Sequence, residues 1–381
     1  MKHRSPASAR RAVSALMVGN GFAFGVWSAH ISVFKQNYGL SNTQLTLPLF
    51  TLALGAILTM PLAGRALHRF DSSGMAWKGQ ICYAVLLSVL PWTPSLPWLA
   101  LAAFSLGVFR AITDVSTNTQ AVITERAYGS AVMSSLQGFW SLGGLIGAAF
   151  SSLLLRRHAS ARLDLGIAAI AMIVTTLVSR LYLLPEDAPA EASIPWILIP
   201  QHLWALAAVA FLSLFIEGAI GDWGTVFLRS TLHVSAATAA TGFAAFSLSM
   251  MTGCFIGDYL NMKLGATNLL RLSGAFVASG FGFTLIGTTY AGAMIGLLIA
   301  GFGTSNMIAL IFGAAARKSQ GGVGAAIAAT SSVGYLGFLV GPPAVGSVSG
   351  LLGLRAALAL VVVAGAVISL AARKVLSQAA G

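Results

Sequence analysis

Residues 201–229 read QHLWALAAVAFLSLFIEGAIGDWGTVFLR. From Trp204 to Ile216 the run carries no charge at all. It exceeds the ~20 mainly apolar residues that a helix needs to cross the hydrocarbon core of a bilayer. Two acids, Glu217 and Asp222, interrupt it, and one cation, Arg229, closes it. A surface helix of a soluble protein would instead set a whole polar face against its apolar stripe. The stretch therefore reads as a membrane-spanning helix.

Working outward, the same pattern recurs along the chain. Spans are expected near 12–36, 43–68, 77–92, 97–124, 131–155, 163–184, 201–229, 238–261, 267–288, 291–315, 322–349 and 352–373. Over the 381 residues, 57% are hydrophobic and 8% charged, against roughly 25% charged in a soluble domain. Only an apolar solvent accommodates that balance. The N-terminal apolar run is longer than the ~7–15 residues of a signal-peptide core, so it is read as a retained first helix. Cys82 and Cys254 lie apart in apolar spans, with no disulfide framework or metal spacing.

Net charge is +12, from 22 Lys and Arg against 10 Asp and Glu. The basic residues stand singly or in pairs between apolar runs, without the clustered face that nucleic acid requires. They report topology instead. With the N-terminus inside, fifteen lysines and arginines fall on the cytoplasmic side, six fall outside, and Arg110 lies within the membrane. The bias predicts a multi-pass protein of the bacterial cytoplasmic membrane with both termini cytoplasmic. Arg156, Arg157 and Arg162 are the exception to it.

One connection differs from the rest. Pro185-Glu186-Asp187-Ala188-Pro189-Ala190-Glu191 is acidic and proline-bearing. It divides the chain into a six-helix half of residues 1–184, a cytoplasmic linker of 185–200 and a second six-helix half of 201–381. No other loop is long enough to fold alone, which excludes an ATP-hydrolysing domain. The halves echo each other. Gly64-Arg65-Ala66-Leu67-His68-Arg69 follows the second span, and Gly257-Asp258-Tyr259-Leu260 with Lys263 and Gly265 follows the eighth. The fifth and eleventh spans open on Ser134-Ser135 and Ser331-Ser332, then turn rich in glycine. The fold class expected is an all-α integral membrane protein, twelve helices in two pseudo-symmetric six-helix bundles.

These positions resemble the major facilitator superfamily, whose signature after the second helix is Gly, three residues, Asp-Arg, then Gly and basic residues. Gly64 and Arg69 fit it. His68 stands where the family has Asp, Asp71 where it has Gly, and Met262 replaces the second Asp. The resemblance implies that the latch built from this signature is altered here. Asp114-Val115-Ser116-Thr117-Asn118, Met133 to Ser141, Glu217 to Trp223 and Gly337 to Pro343 are similar to a bacterial branch near the fucose permeases. That branch includes a membrane protein associated with rhizopine uptake. Gln137 stands where the branch leads one to expect His. The resemblance implies that the first, fourth, seventh and tenth spans line a central cavity, worked by alternating access.

Ionisable groups at membrane depth are costly and mark function by default. In the fourth span Arg110, Asp114 and Asn118 recur every four residues and form one polar stripe with Thr113 and Thr117. It suits a hydroxyl-rich or anionic solute, or else holds a purely internal Arg110–Asp114 pair. Glu217 lies near mid-membrane and is the first candidate for carrying a proton; Asp222 and Asp114 follow. Asp222 is about 140° from Glu217 around an ideal helix, so a structural pairing suits it better. Asn20, Phe24 and Trp27 share a face of the first span, where aromatic faces suit sugars. His30, nearer the outer side, is a further proton candidate, since histidine is the side chain suited to exchange protons near physiological pH. Gln137, Trp140, Asn306 and Tyr335 complete the candidate solute-binding set; each serves equally as interhelical glue.

The expected function is secondary active transport of a small polar, sugar- or polyol-like solute by proton symport. Proton-antiport efflux of drugs or metabolites is the alternative, and a non-transporting membrane sensor a remote one. No catalytic residue, metal site or cofactor is expected, because the six histidines are scattered over termini and both faces. The partners expected are the solute, protons and lipid, without nucleic acid, and the carrier is expected to work as a monomer.

Overall fold

The computed structural model describes residues 5–67, 70–129, 132–185, 201–318 and 323–377. The predicted linker, apart from Pro185, and the signature pair His68–Arg69 lie outside the described residues. Among the described residues the regular elements are all helices: α1 (Pro6–Asn37), α2 (Asn42–Ala66), α3 (Ser72–Val89), α4 (Leu96–Tyr128), α5 (Met133–Arg156), α6 (Ala161–Ser179), α7 (Trp204–Thr231), α8 (Ala236–Ile286), α9 (Tyr290–Thr304), α10 (Met307–Arg317), α11 (Val323–Leu352) and α12 (Leu354–Ser377), with two short 3-10 turns.

Among the described residues, ten stretches are long and apolar enough to cross a membrane. One of them, α8, holds 51 residues. At 1.5 Å per residue that is roughly 75 Å of helix, more than twice the ~30 Å hydrocarbon core. Its backbone leaves the helical region at Gly265 (φ 74°, ψ 153°), so α8 contains both the eighth and ninth predicted spans. The 18 residues of α3 include Lys78 and Gln80, which keep it outside the ten. Counting α3 and both parts of α8, twelve crossings result among the described residues. The tenth span, 290–317, is one apolar stretch but two helices, α9 and α10, parted at Ser305–Asn306.

Local chemistry moves several ends from their expected places. α1 begins at Pro6, ahead of the predicted residue 12, because Ser5 accepts from Ser8 N at 3.2 Å and proline suits the first helical position. Asp71, where the signature has glycine, caps α3 by accepting from Gly74 N at 3.0 Å. Glu125 near the end of α4 accepts from Val132 N at 2.7 Å and Met133 N at 2.9 Å, which places a carboxylate on the N-terminus of α5. α11 continues through Pro342 and Pro343.

The helices group into two compact units. The first comprises α1, most of α2, α3–α6 and the opening turns of α8 (236–244); the second comprises α7, the rest of α8, α9–α12 and residues 41–46. Within the first, α1 is the enclosed helix and packs on α4, α5 and α6. Gly21 and Gly25 lie on the backbone of Trp140 and Gly144, and Gly143 and Gly147 lie on Val18 and Phe22, so a methyl at any of the four would strike backbone. Within the second unit α7 takes the enclosed place, against α11, with Gly337 on Phe211 and Gly218 on Phe338. The first and fifth helices pair here as the seventh and eleventh do there, which is a six-helix repeat seen in packing.

Candidate functional site

The fourth-span stripe divides when folded. Thr113 and Thr117 are fully buried, and Thr113 donates back to Phe109 O at 2.8 Å. Arg110, Asp114 and Asn118, on the same arc of α4, are only partly buried. Arg110 Nε lies 3.8 Å from Asp114 Oδ2, and the two side chains are 13% and 17% exposed, so the pair is shielded without being sealed. Asn20 on α1 donates from Nδ2 to Asp114 Oδ1. One helix thus supplies the charges and its neighbour a neutral donor. An ionised acceptor shortens and strengthens such a bond.

Aromatic rings wall this cluster. Arg110 Cζ sits 4.6 Å from the centroid of Phe24, and Phe24 lies 5.6 Å from Trp140 on α5. Asn118 donates to Asp114 O at 2.8 Å and accepts from Gln137 Nε2 at 3.4 Å, with Gln137 exposed. Asn20 is 1% exposed and its Oδ1 has no hydrogen-bond partner among the described residues. A forked cation, a carboxylate, amide groups and two ring faces therefore meet within the first unit. Such a set recognises hydroxyls and the C–H faces of a small polar molecule.

The remaining candidates are distributed otherwise. Trp27 is 2% exposed and packs on Phe34 at 6.0 Å, two turns beyond Asn20. In the second unit Glu217 is 9% exposed, one residue before the contact of Gly218 with Phe338, and Tyr335 stacks on Phe338 at 6.2 Å. Asp222 is half-buried further along α7. Asn306 at the helix break donates to Gly253 O at 3.1 Å and Ser305 Oγ at 2.8 Å, and Cys254 Sγ donates to Ser305 O at 3.4 Å. Those bonds tie the break to α8, which is an interhelical use of Asn306. No three His, Cys, Asp or Glu residues gather as a metal site among the described residues.

One ionisable pair was not anticipated. His30 Nε2 lies 3.1 Å from Asp164 Oδ2, and both side chains are fully buried. His30 Nδ1 is 2.9 Å from Val26 O and so carries a hydrogen, since a carbonyl only accepts. Ser151 donates to Asp164 Oδ1 at 3.4 Å, which joins α1, α5 and α6 at one point. Asp164 stands in the first turn of α6. From sequence, such an acid is indistinguishable from one that merely complements the helix dipole.

Twelve helical crossings among the described residues, enclosed glycine-packed helices and a shielded ionisable cluster define a polytopic α-helical transporter of the membrane. The chain belongs to the major facilitator superfamily, whose sequence pattern matches residues 13–342. It is 30% identical over 346 residues to an uncharacterized transporter of this type from Yersinia pestis, covering 88% of each chain. It is 27% identical over 363 residues to the membrane protein MosC of Rhizobium meliloti, covering 92% of this chain and 86% of that one. A crystal structure of a variant of the nucleoside transporter NupG superposes with a TM-score of 0.77 at 13% identity, over 96% of this chain and 99% of that one. At that identity the likeness speaks for the fold.

Proposed function

We propose that the protein is a proton-coupled secondary carrier that takes up a small, polar, sugar- or polyol-like solute by alternating access of the halves 1–184 and 201–381. The observation that carries this reading is the Arg110–Asp114–Asn20 cluster beside Phe24 and Trp140. A proton arriving on Asp114 would cancel its charge. It would weaken both the ion pair with Arg110 and the bond from Asn20, because each draws its strength from the carboxylate's charge. Arg110 then turns its donors to solute hydroxyls. Proton and solute are thereby loaded together, which is the requirement for symport. Glu217, the acid on α7, is the proposed proton carrier of the second half. In this reading the carrier is a monomer of the bacterial cytoplasmic membrane.

The test is solute-driven proton movement in proteoliposomes, with a panel of sugars, inositols and amphipathic drugs. Wild type is compared with Asp114→Asn and Glu217→Gln. Proton flux with one polar solute class, lost in either variant while that variant still exchanges labelled solute, supports symport and assigns the proton to that residue. Flux retained in both variants removes both acids from coupling. Proton movement only with drugs, directed against the solute, overturns uptake in favour of antiport.

A further inference from the structure

At the end of the first unit where α3 begins and α6 stops, two cations rest on one indole. Lys78 Nζ lies 5.5 Å and Arg180 Cζ 5.0 Å from the centroid of the Trp77 ring. Both cations are exposed, and neither has an acidic partner within ion-pair distance among the described residues. Two like charges held against one ring repel each other. An anion bridging them relieves that repulsion.

Arg180 is held in place. Beyond the end of α6, Arg180 N donates to Thr176 O at 3.0 Å and Tyr182 N to Ser179 O at 3.0 Å. Leu183 is fully buried, and Leu184 O accepts at 2.9 Å from Nε2 of Gln120, a fully buried side chain of α4. The same Nε2 donates at 2.8 Å to Ser72 Oγ, on the first residue of α3. One buried amide thus clamps the turn after α6 to the start of α3. That clamp fixes the backbone from which Arg180 reaches Trp77.

Apolar stripes lead away from the pair. On α3, Val85 and Val89 lie seven and eleven residues from Lys78 and are exposed; on α6, Ile170, Val174 and Val178 are exposed on the approach to Arg180. In a membrane protein such residues face acyl chains. A ring with a polar edge between apolar stripes and cations is the arrangement of the membrane interface. By the distribution of Lys and Arg, this end is the cytoplasmic one, next to the leaflet that carries anionic lipid.

We propose that Trp77, Lys78 and Arg180 form a binding site for one anionic glycerophospholipid. Its phosphodiester sits between Lys78 and Arg180, with the guanidinium offering paired donors to the phosphate oxygens. Its glycerol region lies on Trp77 and its tails run along the stripes of α3 and α6. The inference stands apart from the transport reading, since it requires no solute or proton site.

Native mass spectrometry of the intact protein in detergent, titrated with phosphatidylglycerol or phosphatidylcholine, reads the site directly. The wild type should retain one phosphatidylglycerol in preference to phosphatidylcholine. The double variant Lys78→Ala/Arg180→Ala should hold it roughly thirty-fold more weakly, at about fivefold per basic residue. Arg156→Ala/Arg157→Ala, a control at the end of α5, should bind as wild type does. Equal retention of the two lipids, or undiminished phosphatidylglycerol on the Lys78/Arg180 variant, overturns the proposal. A second measurement separates the anion's source: thermal unfolding with phosphatidylglycerol or inorganic phosphate added. A rise with the lipid alone, absent in a double variant that unfolds at the wild-type temperature without lipid, supports the site. An equal rise with inorganic phosphate makes it a site for free anions and overturns the lipid assignment.

Discussion

At the scale of single residues, the charges inside this protein follow one rule: each described ion pair joins groups that would be prohibitively costly alone in the bilayer. Asp114 has Arg110 and Asn20; Asp164 has His30 and Ser151. The second pair allows a firm expectation. Asp164→Ala leaves His30 fully buried without its partner, and breaking such a pair costs about 3–5 kcal/mol. Thermal unfolding in detergent should register that loss, while Asp164→Asn, which keeps a polar group against Nε2, should recover much of it. An alanine variant as stable as wild type would mean that the pair contributes nothing. The Arg110–Asp114 pair was legible from sequence because its members recur at four-residue spacing on one helix. The His30–Asp164 pair was not, because its members lie 134 positions apart and meet only through the packing of α1 on α6.

At the scale of elements, hydropathy located the crossings and one of their two joints. Mean apolarity falls from Asp258 to Lys263, just ahead of Gly265 where α8 turns, and the eighth and ninth predicted spans part there. It does not fall at Ser305–Asn306, where the tenth span parts, because that joint depends on hydrogen bonds that a hydropathy window does not sense. The joint at Gly265 also has a backbone geometry of its own. Its φ of 74° with ψ of 153° belongs to a region open essentially to glycine alone. Gly265→Ala should therefore destabilise the protein by about 1–3 kcal/mol, seen as a lower unfolding temperature. The neighbouring Ala266→Gly, in helical backbone, provides the comparison and should cost no more than the usual helix penalty of about 1 kcal/mol. If Gly265→Ala unfolds at the wild-type temperature, the joint adopts another geometry.

At the scale of the whole molecule, orientation rests on charge rather than on contacts. The positive-inside bias weighs lysines and arginines in short loops near the ends of spans, and that weighting predicts cytoplasmic termini. The outer exception has a local account in part: Arg162 Cζ lies 4.3 Å from the centroid of the Trp92 ring, so its charge is spent on an aromatic face. On the opposite end Arg10 lies over Tyr128 at 5.1 Å and donates to its hydroxyl at 3.3 Å, so aromatic contact by itself does not select a side. Number does, because each cation retained inside adds to the same bias. The expectation is tested with reporter fusions to the full chain. A fluorescent protein at the C-terminus should fluoresce, and alkaline phosphatase there should be inactive; phosphatase inserted at Ala159, in the turn between α5 and α6, should be active. The reverse pattern would invert the protein in the membrane and carry the Trp77–Lys78–Arg180 site to the outer leaflet. Substituting Arg156, Arg157 and Arg162 together by Gln should leave the pattern unchanged, since it only deepens an asymmetry already set by the cations of the other side.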